Sequence, residues 1–245
     1  MAKLLHKLHI TGTLTVETGL HIGGSEVELD IGGIDSEVIK IKQGDDRIPY
    51  IPGSSLKGKL RTLLGRKYGY EKVENDDKEV KLLFGKVGKG KHVPNTPARL
   101  IFRDNYATVL ENKDEQQNKE VKYEFELEDK AENWIIRPTG EAKPRHLERV
   151  AKGSSFRIDI IMDVHSTFKK EEGKWKDDNV QQLLETLDMG FQLLQKDYLG
   201  GSGTRGYGKV SIEMDDIKVL DFKPTGEVDD TKTHDYTFKV TNTKA

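Results

Sequence analysis

Ten residues near the C-terminus, Leu199-Gly200-Gly201-Ser202-Gly203-Thr204-Arg205-Gly206-Tyr207-Gly208, combine the groups needed to hold a polyphosphate. Half of them are glycine, which admits positive φ and lets backbone N–H groups come close to a ligand. Successive N–H groups in such a turn form an anion-binding nest, to which Gly201 and Gly203 would contribute. Arg205 adds a planar fork of donors that matches phosphate, and Tyr207 adds a stacking face.

A second basic feature lies far upstream. Lys57, Lys59, Arg61, Arg66 and Lys67 fall between Ser54 and Tyr68 with no acidic residue among them. Lys57 and Arg61 are four apart and share a face if the segment is helical. Pro52-Gly53-Ser54-Ser55 precedes them, so the free N–H groups of the helix start and the hydroxyls of Ser54 and Ser55 would favour phosphate. A solvated basic helix face is the plain alternative, and the glycine loop is what favours a shared backbone ligand. No Gly-x-x-x-x-Gly-Lys-Ser/Thr element is present, so the pair is not a P-loop.

Groups for acid–base or metal chemistry are sparse. Asp35, in Gly32-Gly33-Ile34-Asp35-Ser36, reads either as a turn aspartate or as a carboxylate poised beside a ribose. In the second reading it could orient the 2′-OH, accept its proton, or hold a divalent ion at the scissile phosphate. His21, in Gly19-Leu20-His21-Ile22-Gly23-Gly24, could bind phosphate or shuttle a proton, or serve as an ordinary hydrogen-bonding residue. The stretch from Arg137 to Arg145 holds two prolines between arginines and suggests a stiff exposed finger. Asp104, Glu120, Glu124 and Glu141 could form an acidic site, although simple solvation explains any one of them in so charged a region.

The elements that must position these groups follow from periodicity. Leu8, Ile10, Leu14 and Val16 alternate with polar residues as a half-buried strand. Leu56, Leu60, Leu63 and Leu64 give a helix over about 56–68, capped by Ser54 or Ser55. Arg99–Arg103 and Phe156–Met162 read as strands. Val180, Leu183, Leu184, Leu187, Phe191 and Leu194 form the clearest helical stripe, and Val210, Ile212 and Met214 a last core strand. Alternation at Val121, Tyr123, Phe125 and Leu127 suggests a strand in a hairpin, and the tail after Asp221 reads as polar and loose or wrapped over the surface.

That order, β-α-β-β-α-β, is the order of an α+β ferredoxin-like, RRM-like core. The expected layout is a single domain over 1–220. A helical lid insertion falls at about 66–98 and a thumb-like β-hairpin insertion at about 105–150, with a polar extension over 221–245. The fold leaves function open.

Composition narrows the classes. Of the 245 residues, 34% are hydrophobic and 33% charged, so much of the chain meets water or a polar partner. A net charge of −2 excludes a global basic field and confines nucleic-acid binding to local patches. The absence of cysteine excludes disulfides and thiolate zinc sites and fits a cytoplasmic location. No signal peptide and no apolar run of about 20 residues is visible, so no membrane partner is expected.

Five segments, taken in order, carry a resemblance. They are Gly19–Gly24, Gly33-Ile34-Asp35-Ser36, Ile51-Pro52-Gly53-Ser54-Ser55-Leu56-Lys57-Gly58-Lys59, Arg99–Asp104 and the glycine loop. Together they resemble the RAMP backbone subunits of type III-A CRISPR effectors, the third Csm subunit, over about 11–210. The resemblance implies a filament of copies along a guide crRNA, beside other Csm subunits, with a thumb hairpin that interrupts guide–target pairing. It implies cleavage of complementary target RNA at regular intervals by an endoribonuclease using Mg²⁺ or another divalent cation. Asp35 matches the family's catalytic aspartate, and His21 and Lys57 match positions linked to guide contact. Asp104, Glu120, Glu124 and Glu141 match acidic positions, and Arg137 to Arg145 matches the thumb. Relatives with a zinc site use cysteine in the helical insertion, so no zinc is expected here. The alternatives left open are a non-catalytic RNA-binding scaffold and a RAMP guide-processing endoribonuclease.

Overall fold

The computed structural model describes residues 3–24, 36–44, 46–70, 76–86, 88, 96–110, 122–169, 174–177, 179–222 and 227–242. In chain order, β1 (Lys3–Val16), β2 (Lys40–Gln43) and β3 (Asp46–Ile51) lead into α1 (Gly53–Lys67) and α2 (Lys78–Phe84). Short strands follow: β4 (Leu100–Phe102), β5 (Asn105–Tyr106), β6 (Val109–Leu110) and β7 (Lys122–Tyr123). Next come the paired β8 (Leu127–Ile136) and β9 (Glu141–Val150), then β10 (Ser155–Lys169) and β11 (Lys174–Asp177). The chain continues through α3 (Val180–Gln195), β12 (Val210–Met214), β13 (Lys218–Phe222) and β14 (Val228–Thr233).

The core sheet runs β12-β1-β10-β4, with every neighbouring pair antiparallel. This is the strand arrangement of a ferredoxin-like domain, built from the strand–helix–strand–strand–helix–strand pattern read in the sequence. Alternation on β1 sends Leu8, Ile10, Leu14 and Val16 to one face, where they are buried with Phe156, Ile158, Ile160 and Met162 of β10. Helices α1 and α3 cover that face. Gly190 of α3 lies against Leu60 and Leu64 of α1, so the two helices cross where one lacks a side chain.

Two departures from the sequence reading have local causes. Helix α1 begins at Gly53, and neither Ser54 nor Ser55 caps it. The Gly53 N–H is instead taken by the Asp104 carboxylate at 2.8 Å, a cap supplied from beyond β4. The strand inferred around 121–127 is interrupted: Lys122–Tyr123 is a short strand, and the hairpin strand starts at Leu127. The described part of the tail is wrapped over the body, one of the two forms read for it. At fourteen residues, β1 has room beside β12 for β13, which pairs at Lys7–His9 and in turn carries β14. Beyond β14, Tyr236, Phe238 and Val240 are buried. Asp188 of α3 holds that segment by accepting from the Tyr236 hydroxyl and from the Lys239 and Val240 N–H groups.

Candidate RNA-binding and cleavage site

His21 is the meeting point of the groups singled out in the sequence. Its carbonyl oxygen accepts the Gly201 N–H at 2.8 Å. Gly200 sits at φ +76, and a Cβ there would lie 2.3 Å from the same oxygen, so the loop can close on His21 only with glycine. The His21 ring faces the other way. Nδ1 lies 2.7 Å from the Glu148 carbonyl oxygen, which can only accept, so Nδ1 carries the proton. Nε2 then faces the Ser36 hydroxyl at 3.3 Å.

Ser36 is the residue after Asp35. Asp35 itself, and Glu120, lie outside the described residues. The segment following Asp35 is fixed by Glu148 of β9, a buried residue that the sequence reading passed over. Its N–H donates to the Ser36 carbonyl at 3.0 Å. Its carboxylate accepts the Val38 N–H at 3.0 Å and the Lys40 ammonium at 2.7 Å. Glu148 stands between Arg145-His146-Leu147 and Arg149 in a charged stretch, and no pattern marked it as buried.

The glycine loop also touches α1. Lys59 places its ammonium 3.6 Å from the centroid of the Tyr198 ring and 3.4 Å from Asp197. A Cβ at Gly203 would fall 2.0 Å from that ring, so Tyr198 packs flat on the glycine backbone. Lys59 thus joins the basic helix to the loop. Lys57, on the outer side, is partly exposed, and burial together with the neighbouring Arg61 charge holds its pKa below the ordinary lysine value. Arg61 turns inward, donating to Asp76 at 2.7 and 2.9 Å and to the Gly85 carbonyl at 2.8 Å. Ser54 is exposed at the helix start, Ser55 half-buried.

Several loop N–H groups are engaged within the protein: Gly201 with His21, Arg205 with Ser202, Gly206 with Gly203 and Gly208 with Gly19. Tyr207 offers no stacking face. It is 1% exposed, flanked by the Arg149 guanidinium at 4.3 Å and the Lys130 ammonium at 4.9 Å. Its hydroxyl donates to Glu132 of β8, and the same carboxylate accepts from Arg205 at 3.2 Å. Burial and the Glu132 hydrogen bond push Tyr207 up to about 12, and that bond holds Glu132 below its ordinary value. The sequence showed a tyrosine in a flexible loop and could not show the hairpin that covers it.

The hairpin of β8 and β9 carries Arg137, Glu141 and Arg145 on its exposed distal half, with Arg145 opposite Glu132. Trp134 and Ile135, each 57% exposed, stand there too. Glu141 is therefore far along the hairpin from Glu148, and Asp104 is committed to α1. Glu124 bonds through its backbone to Thr108 and Ser155. Among the described residues no three acidic or histidine side chains are grouped to hold a metal ion, and no helix is long and apolar enough to cross a membrane.

The RAMP superfamily profile matches residues 13–211. This chain belongs to the RAMP superfamily. The "CRISPR system Cms endoribonuclease Csm3" of Mycobacterium tuberculosis is 41% identical over 215 residues, covering 84% of this chain and 86% of its own. The protein of the same name from Streptococcus thermophilus is 38% identical over 231 residues, covering 91% and 98%. A chain of the type III-B Cmr-β complex, solved by cryo-electron microscopy bound to cognate target RNA, aligns with a TM-score of 0.52 at 19% identity. That match spans 88% of this chain and 61% of the other, and shows the RAMP fold.

Proposed function

We propose that this RAMP protein is the guide-binding backbone subunit of a type III-A CRISPR effector and that it cleaves target RNA complementary to the guide at regular intervals. The observation that carries the proposal is the convergence on His21. The glycine loop closes on its backbone, the Lys59–Tyr198 contact brings the basic helix to the same loop, and its ring holds Ser36, one residue from Asp35. The binding surface and Ser36, the residue after Asp35 in sequence, thereby share contacts with one residue. The naming of the relatives as Csm3 endoribonucleases supports the same reading.

In this proposal guide phosphates lie against Lys57 and the open side of the Arg205 guanidinium, which is 59% exposed. Recognition is of backbone and not of base, so any guide is accepted. Copies of the chain stack along the guide with other Csm subunits in the cytoplasm, and Arg137, Lys143 and Arg145 bring the hairpin to the duplex. At the scissile step the ribose 2′-oxygen attacks the adjacent phosphorus while the bond to the 5′-oxygen breaks. Asp35 takes the 2′-OH proton, and the departing 5′-oxygen gains one from solvent. The products are a 2′,3′-cyclic phosphate and a 5′-hydroxyl. Mg²⁺ belongs to the proposal only as an ion that Asp35 and RNA phosphate oxygens would share, and no step above depends on it.

The test is the assembled complex carrying Asp35→Ala. Target RNA should bind as in the wild type and remain uncut, and undiminished cutting would remove Asp35 from the chemistry. Chelation of divalent cations in the wild-type complex tests the metal separately.

A further inference from the structure

Among the described residues, Glu132 makes the side-chain hydrogen bonds that join the outer half of the hairpin to the glycine loop. Glu128, Lys130 and Glu132 alternate along β8 and share a face, which lies on the glycine loop. At the lower end Glu128 pairs with Arg149 of β9, its partner within the hairpin, at 2.6 Å, and Lys130 lies over the Tyr207 ring. At the upper end the two oxygens of Glu132 take different partners: one accepts the Tyr207 hydroxyl, the other Nη1 of Arg205. The Glu132 side chain is 15% exposed, whereas its neighbours Asn133, Trp134 and Ile135 are all exposed. Along β8, Glu132 is therefore the last side chain fastened to the body before the strand projects.

We infer that Glu132 is a positioning residue that fixes the angle of the hairpin relative to the phosphate-binding loop and so sets the register of cleavage. The inference rests on the proposed function. Four strand residues separate Glu132 from the turn after Ile136, a free arm of about 14 Å at the strand rise. Without Glu132 the next contact with the loop along β8 is that of Lys130 with the Tyr207 ring, and the arm lengthens to about 20 Å, so the same angular slack moves the tip about half as far again. Arg205 is shared: one nitrogen holds Glu132 while most of the guanidinium faces solvent. A phosphate on that open side is thereby placed at a fixed distance from the hairpin, by way of a single planar group.

The absence of cysteine in the chain makes the joint directly measurable. Spin labels at Lys143→Cys on the hairpin and Thr204→Cys in the loop report the distance between them. Glu132→Ala should broaden that distribution, Tyr207→Phe should broaden it less, and Glu132→Gln, which still accepts from Tyr207, should fall between. In the assembled complex, Glu132→Ala should raise the share of target cuts outside the main register by about tenfold, with target binding nearly unchanged. Slower cutting with an unaltered register, or an unaltered label distribution, overturns the inference. Asp35→Ala serves as the parallel control. If it still cuts, the role given to Asp35 fails, and the label distances still decide whether Glu132 fixes the hairpin.

Discussion

His21 and Ser36, fifteen residues apart in sequence, meet through Nε2 and Oγ at 3.3 Å, while Nδ1–H of the same ring donates to the Glu148 carbonyl. The ring thereby spans from the hairpin strand to the residue that follows Asp35. These contacts give the ring a placement role.

His21→Ala removes both bonds and leaves the half-buried Ser36 and the Glu148 carbonyl without the ring. The expected cost is about 1–3 kcal/mol, or a fall in thermal midpoint of roughly 2–10 °C for a chain of this size. Cleavage in the assembled complex should fall further than target affinity. His21→Asn, whose amide can donate toward the same carbonyl, should recover part of both. If His21→Ala instead lowers guide affinity together with its salt dependence, the ring is a phosphate ligand.

Asp104 was grouped in the sequence with possible metal ligands, and its oxygen caps Gly53 from 51 residues away. Asp104→Ala should cost about 1 kcal/mol, the value of a lost N-cap. Asp104→Asn keeps an acceptor for the Gly53 N–H and should retain both stability and cleavage. A metal ligand behaves otherwise: the asparagine variant would keep the fold and lose cutting. Thermal unfolding and product formation, measured on both variants, separate the two roles.

Gly203 has no room for a side chain. Gly203→Ala should push Tyr198 off the loop, release Lys59 from its ring and cost about 1–3 kcal/mol as an overpacked site. The second substitution Tyr198→Ala removes the obstructing ring, so Tyr198→Ala/Gly203→Ala should be more stable than the sum of the single changes allows. That coupling, read from a double-mutant cycle of unfolding midpoints, tests the packing without any RNA.

The parts of the fold legible in the sequence are those where one face of an element is buried. The alternation of β1 and β10 and the stripe on α3 gave the strand order of the core, because a half-buried strand or helix writes its period into the chain. Strand β14, Val-Asp-Asp-Thr-Lys-Thr, buries almost nothing and left no such trace. The helix start was misplaced because a serine adjacent in sequence looks like a cap, whereas the actual acceptor, Asp104, comes from the connection between β4 and β5. At the site, Arg205 and the glycines were visible as types. The burial of Tyr207, the inward turn of Arg61 and the role of Glu148 depend on contacts between residues 15 to 127 positions apart, which local patterns do not encode.

Lys57 provides a pH signature for phosphate binding. Its pKa is lowered in the free chain, chiefly by burial and then by Arg61, and a bound phosphate would raise it again. Binding is then strongest below the lowered value and weakens as pH rises through it, with uptake of one proton per site until the higher value of the complex is passed. A 2′-O-methyl guide analogue, which resists alkaline hydrolysis, allows the measurement. Lys57→Arg should flatten this dependence, since guanidinium stays charged throughout. An unchanged pH profile in Lys57→Arg would place the guide elsewhere on the helix.

Tyr207 provides the corresponding signature for the hairpin joint. Its pKa stands at about 12 against 10.0 for a free tyrosine, through burial and then through its bond to Glu132. The folded chain therefore holds this proton more tightly than the unfolded one. The associated stability is whole below pH 10 and is lost as pH climbs toward 12. Tyrosinate absorbance, taken as the difference between wild type and Tyr207→Phe, isolates this residue from Tyr236, which burial and Asp188 also raise. Glu132→Gln removes the negative charge and should bring the Tyr207 step to lower pH while leaving that of Tyr236 in place. Because the same substitution weakens the hold on Arg205, the size of the Tyr207 displacement and the broadening of the hairpin–loop distance should rise together across Glu132 variants. Independent variation of the two would mean that Tyr207 and Arg205 are held separately and that the joint is not a single unit.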